Sequence, residues 1–233
     1  MFDGFMARTG CGAAVLALCV VGARAEPHVW PDGFLSRVEL LALIQTLNSS
    51  LLASRSATAT LEKWCADHKM SGDPKIVARR VPGAEKAPGE ETKARLRVGS
   101  AAEVKYRRVQ LACGEHVLSE ADNWYVPARL TPDMNRTLDA TDAPFGKVVA
   151  SLQPFRRTFE MKMRWSPLPE GWELNANDTA LEKGRGALAV PHELFEHAAI
   201  LYSADQTPFS EVHETYMGEA LDFDTKSLGP RKE

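Results

Sequence analysis

The apolar residues Val38, Leu40, Leu41, Leu43, Ile44, Leu47, Leu51 and Leu52 recur at helical spacing, which predicts an amphipathic helix over 36–54 with Ser36 as its cap. A second helix is expected over 58–68, with Leu61, Trp64 and Cys65 turned inward. Residues 76–81 read as a strand, and the polar run 82–93 as a solvated loop that carries no chemistry. Beyond it the period changes to two. Alternation over 106–111 predicts a strand, Cys113-Gly114-Glu115 a turn, and 116–126 a second strand ended by Pro127. Thr131-Pro132-Asp133-Met134 has the form of a loop, and 142–147 of a turn that opens a short helix or tight loop. Residues 158–164 alternate, with Phe159, Met161 and Met163 on one face, and two strands over 194–202 and 209–217 close the domain around a turn at 203–206.

Two charges contradict this pattern. Arg107 falls on the same side of its strand as Val109 and Leu111, and Glu214 shares a face with Val212 and Tyr216. A guanidinium or carboxylate taken out of water needs a partner, so each charge meets either the other or a polar ligand. Both alternatives are open from the pattern alone.

At 233 residues, 44% hydrophobic and 25% charged, the chain has the composition of one globular domain with a full core. A net charge of -3 and a pI near 6.1 give no basic footprint, so nucleic acid is not an expected partner. Arg8, the uncharged run 9–23 and Ala23-Arg24-Ala25 have the layout of a secretory leader over 1–25. The rival is a membrane anchor, but a run of about 15 residues falls short of the roughly 20 that span a bilayer. The expectation is therefore an exported protein, periplasmic or secreted, with no stable membrane insertion after cleavage. Residues 26–35 then form an N-terminal extension, 36–223 a single domain, and 224–233 a flexible tail. Cys11 and Cys19 lie in the leader; Cys65 and Cys113 remain, and their pairing is open. The segment 165–189 is an insertion, either a surface excursion or a flap over a pocket mouth.

Arg107-x-Val109-x-Leu111, Gly114-Glu115, Tyr125-Val126-Pro127, Ala143-Pro144-Phe145-Gly146 and Arg157-Thr158-Phe159, in this order, resemble chorismate pyruvate-lyase over roughly 57–221. The resemblance implies an α+β fold, an antiparallel β-sheet with helices and helix-loop flaps enclosing a small-ligand pocket. It implies conversion of chorismate to 4-hydroxybenzoate and pyruvate with no metal or organic cofactor. Arg107 takes the place of the arginine that holds a substrate carboxylate, and Glu214 that of the glutamate at the enolpyruvyl ether, where a glutamic acid can serve as general acid. Phe145 and Gly146 stand in the turn whose peptide group contacts the carboxylate, and Ala57 replaces a larger apolar residue on the pocket wall. The alignment near Glu214 needs a one-residue adjustment, which leaves Glu211 as the alternative acid. The same fold serves as the ligand-sensing part of some transcription regulators. Beside a lyase, the expectation thus includes an exported, non-catalytic monomer that binds a small carboxylate or aromatic ligand, and a relic whose Arg107 and Glu214 pair with each other.

His192-Glu193-Leu194-Phe195-Glu196-His197 does not fit a zinc-protease helix, since the second histidine comes five residues after the first instead of four. A loose metal site from His192, His197, His213 and acidic neighbours is the remaining metal alternative. No P-loop, dinucleotide or Gly-x-Ser-x-Gly fingerprint is present.

Overall fold

The computed structural model describes residues 28–81, 83, 85–100, 103–174 and 186–224. Helical periodicity in the first third gives α1 (Phe34–Ala53), which buries Leu40, Ile44, Leu47, Asn48 and Leu51 along one stripe. It begins two residues before Ser36, behind Gly33, with no side-chain cap. Ser56 does cap α2 (Ala57–Asp67), its hydroxyl accepting from the Ala59 N–H. β1 (Ile76–Arg80) follows.

The polar excursion contains α3 (Glu90–Leu96), where a solvated loop is expected; two acidic residues lie in its first turn and Lys93 and Arg95 in its last, as the helix dipole favours. The tight turn at Gly114, whose φ is +56°, joins β2 (Lys105–Cys113) to β3 (His116–Tyr125). Thr131-Pro132-Asp133-Met134 opens a helix, α4 (Pro132–Ala140), where a loop is expected: Thr131 caps it through the Met134 N–H and Pro132 occupies the first turn. The one-turn α5 (Phe145–Val148) opens as the Pro144 turn predicts. β4 (Phe155–Met163), β5 (Glu193–Tyr202) and β6 (Pro208–Met217) complete the chain's strands among the described residues.

The fold is α+β. All six strands form one antiparallel sheet in the order β1-β2-β3-β6-β5-β4. α1, α2 and α5 share the main core with one face of this sheet, while Leu96 of α3 packs with Trp124 and Val126 on the other. Trp30 is buried in the main core and donates its indole N–H to the Leu221 carbonyl, which ties the residues before α1 to the end of the domain.

A bulge between Thr158 and Glu160 breaks the alternation of β4. Phe159 consequently approaches Arg95 and His213 on the α3 side, while Met163 packs against the main core; the two do not share a face as strict alternation predicts. Cys65 of α2 and Cys113 of β2 are joined as a disulfide, 6.2 Å apart at Cα. The described ends of the segment 165–189 pack toward the residues around the start of α1: Arg37 donates to the Pro167 carbonyl, Leu188 N–H to the Trp30 carbonyl, and Phe34 meets Trp172 edge-on. Its middle, 175–185, lies outside the described residues, as do 225–233 of the expected tail.

Candidate functional site

The face of the sheet toward α1 and α2 encloses a cavity of about 60 Å³. Ala57 and Thr58 of α2, Phe145 and Gly146 of α5, and Val109, Leu111, Ala121 and Val212 of the sheet line it. Gly146 is needed for the close approach of α5 to α2: a Cβ there would stand 3.0 Å from Thr58 Oγ1 and 3.2 Å from Ser56 Oγ. Phe145 stacks over Phe209 and lies against Tyr125, which fixes the wall of the cavity.

Charge enters this apolar space from β4 and β6. Arg156 Nη2 donates to Glu214 Oε2 at 2.5 Å, and the Tyr216 hydroxyl donates to the same oxygen at 2.9 Å. Both members of the ion pair line the cavity and both are buried. Burial alone would lower the arginine's pKa, but Glu214 and Tyr216 raise it overall, so the guanidinium keeps its charge. Burial beside Glu214 raises the Tyr216 phenol well above its ordinary value, so the hydroxyl stays a donor. Asn123 and Ser210, hydrogen-bonded to each other, supply further polar atoms to the lining.

Of the residues singled out in the sequence, Glu214, Phe145, Ala57 and Gly146 come together around this cavity. Arg107 does not line it. The residue is only 4% exposed, but its Nη1 and Nη2 donate to the carbonyls of Ala143 and Thr141 at 3.0 and 3.3 Å. It thereby holds the turn that leads into Phe145 against the sheet. Burial and the nearby Arg80 lower its pKa, and its Nε has no hydrogen-bond partner. Glu214 therefore pairs with Arg156, not with Arg107. Arg156 escaped the sequence reading because alternation counted back from Met163 crosses the bulge; the signal was the basic pair Arg156-Arg157 at the start of a strand, one of which must point inward.

Glu211 belongs to a second buried constellation on the opposite face of the sheet. α3 delivers Arg95 to it by two hydrogen bonds, 2.8 and 2.7 Å, and Thr92 at 3.0 Å; His213 adds a fourth contact at 2.9 Å. Burial pushes the Glu211 carboxyl pKa up, and these hydrogen bonds more than offset it, leaving the group at about 2. The run 82–93 expected to carry no chemistry thus includes one of its partners, Thr92, and the first turn of the helix whose Arg95 supplies the other.

His197 sits back in the main core, where its Nε2 meets Asn48 Oδ1 at 2.8 Å and burial lowers its pKa to about 4. His213 lies on the other face beside Glu211, so the histidines do not converge. Among the described residues no group of three or more His, Cys, Asp or Glu could hold a metal ion, and no helix is long and apolar enough to cross a membrane. Two larger depressions, of about 830 and 340 Å³, are also present, the first lined by Trp30, His116 and Leu221 and the second by Arg108, Glu160 and Lys162 together with Ala121 and Glu214, which it shares with the cavity. Neither contains Phe145, Ala57 or Gly146.

No family model matches the chain. It is 47% identical over 203 residues to the protein y4mC of Sinorhizobium fredii (strain NBRC 101917 / NGR234), which covers 87% of this chain and 85% of that protein. Similar solved structures include the effector domain of PhnF from Mycobacterium smegmatis, at 15% identity and a TM-score of 0.43 over 70% of this chain and 89% of that one. Another is the ligand-binding domain of a GntR-family transcriptional regulator from Bordetella bronchiseptica, at 16% identity and a TM-score of 0.37 over 61% of this chain and 82% of that one. The expectation of export is corrected: it is not upheld by these neighbours, which are described as parts of transcriptional regulators. The leader over 1–25 on which that expectation rested lies outside the described residues.

Proposed function

The chain belongs to the family of the Sinorhizobium fredii protein y4mC, and from that premise we propose that it is a binding domain for a small molecule that carries a hydrogen-bonding group at one end. The observation that carries this reading is the buried Arg156–Glu214 pair set in the wall of an otherwise mainly apolar cavity. Typical small-molecule sites enclose roughly 300–1,000 Å³, so the cavity suits a ligand of one ring or less. Such a ligand gains burial from Phe145, Val109 and Leu111 and orientation from the polar pair. Arg107 serves this site from behind, as the strut of the Phe145 turn.

Binding without turnover is favoured over chorismate lysis by the hydrogen bonds of Glu214. A general acid must offer a proton to the ether oxygen, whereas Glu214 Oε2 accepts from both Arg156 and Tyr216. The arginine implied for the substrate carboxylate is committed to two backbone carbonyls.

The test is to incubate the protein with chorismate and follow 4-hydroxybenzoate, and in parallel to record melting temperature with added 4-hydroxybenzoate. No product and a saturable rise in melting temperature, lost in Arg156→Met, is the expected outcome. Product formed by the wild type and abolished by Glu214→Gln would instead establish the lyase.

A further inference from the structure

We propose that the ligand is a small hydroxy acid held hydroxyl-inward, with its carboxylate kept at the cavity mouth by Arg55. This rests on the binding function proposed above and assigns the orientation and charge of the ligand at that same site.

Arg55 stands in the connection between α1 and α2, immediately before the Ser56 cap, and lines the same cavity as Arg156 and Glu214. It is exposed, which places it where the cavity meets solvent. Among the described residues it has no hydrogen bond or ion pair, whereas both charges deeper in the cavity are matched. The wall therefore holds a neutral pair inside and one unmatched cation outside.

That distribution decides which end of a ligand enters first. A carboxylate pushed in beside Arg156 would meet a guanidinium whose charge Glu214 already balances, and would leave a net negative charge away from water. A hydroxyl carries no such penalty. It can donate to the Glu214 carboxylate and accept from the Arg156 guanidinium or the Asn123 amide, while the Ser210 hydroxyl is committed to Asn123 Oδ1, so both its hydrogen-bonding functions are met. The carboxylate is then left at the mouth, where Arg55 offers a planar pair of donors in partial contact with solvent. Nothing in the pattern of apolar residues marks Arg55, because its position is on a connection and not on a buried face.

The experiment compares acids with neutral isosteres: 4-hydroxybenzoate against 4-hydroxybenzamide, and lactate against lactamide, each titrated calorimetrically into wild type, Arg55→Ala and Arg55→Lys. Wild type should prefer the acid of at least one pair by about tenfold, with the preference shrinking as salt rises, since the contact is partly solvated. Arg55→Ala should lose that preference while binding the amide unchanged, and Arg55→Lys should restore part of it. An Arg55→Ala protein that keeps the acid preference overturns the proposal and leaves the binding function standing. Failure of the wild type to bind any of the four overturns the binding function and this proposal together.

Discussion

Single residues divide the buried charges of this protein into two sets that do different things. Glu211 is wholly buried and held at about pH 2 by its hydrogen bonds. A carboxyl whose folded pKa lies below its unfolded value contributes stability that is present above the unfolded pKa and lost as pH falls through the folded one. The contribution is about 3 kcal/mol, lost between roughly pH 4.5 and 2. Chemical denaturation across that window should show a steep loss in the wild type and a flatter one in Glu211→Gln, which starts from a lower stability at neutral pH. His197 has the same sign in a different window. Its pKa falls from the ordinary imidazole value to about 4, so stability is full above about pH 6.5 and declines toward pH 4 as the unfolded chain takes up the proton first. His197→Gln should remove this slope, and an unchanged slope between those pH values would rule out His197 as its source. Among these groups the sequence showed Glu214 and Arg107 as charges on apolar faces, and both are buried as that pattern requires. It did not show their partners, because partner choice depends on which strands become neighbours and on a bulge that shifts β4 by one position.

Elements joined across distance set the shape of the cavity. The Cys65–Cys113 disulfide links α2 to β2, the helix and strand that carry Ala57 and Thr58 on one wall and Val109 and Leu111 on another. Closing a separation of 48 residues restricts the unfolded chain by about 4 kcal/mol in the loop-entropy account. Reducing agent, or the Cys65→Ala/Cys113→Ala double substitution, should lower the denaturation midpoint by a comparable free energy. Titration with a thiol reagent after unfolding distinguishes the oxidised from the reduced sample. The strands and both long helices were legible from periodicity, to within a few residues at each end. α3 and α4 were not, for an identifiable reason. Both are short and predominantly polar, with one buried apolar residue in α3, Leu96, and two in α4, Met134 and Leu138, too few to stand out as a period; their other signals were an acidic first turn in one and a Thr-Pro cap in the other.

Across the whole molecule, the sheet is a partition between two polar constellations. Glu214 with Arg156 and Tyr216 faces α1 and α2, and Glu211 with Arg95, Thr92 and His213 faces α3. They share a strand but no partner. Substitutions without common contacts add, within about 0.5 kcal/mol. Glu211→Gln and Glu214→Gln should therefore be additive in denaturation measurements, and a coupling well above that figure would mean that the sheet transmits strain between its faces. Alternation and turn chemistry gave the strands, and the family resemblance gave their α+β arrangement and four of the residues that line the cavity, Ala57, Phe145, Gly146 and Glu214, but not Arg156.

The odd spacing of the two glutamates also acts on chains that have not yet reached the native state. In a strand, sliding by one residue turns every side chain to the opposite face. For β6 that slip would carry Glu214 away from Arg156 and Glu211 away from Arg95 together, leaving both buried glutamates and the buried Arg156 without their partners. A slip of two residues keeps the faces but displaces both pairs by about 7 Å, far beyond hydrogen-bond reach. β6 therefore carries its own address: each near-miss alignment during folding is penalised twice, on two independent surfaces, and only one register lets the central strand close between β3 and β5.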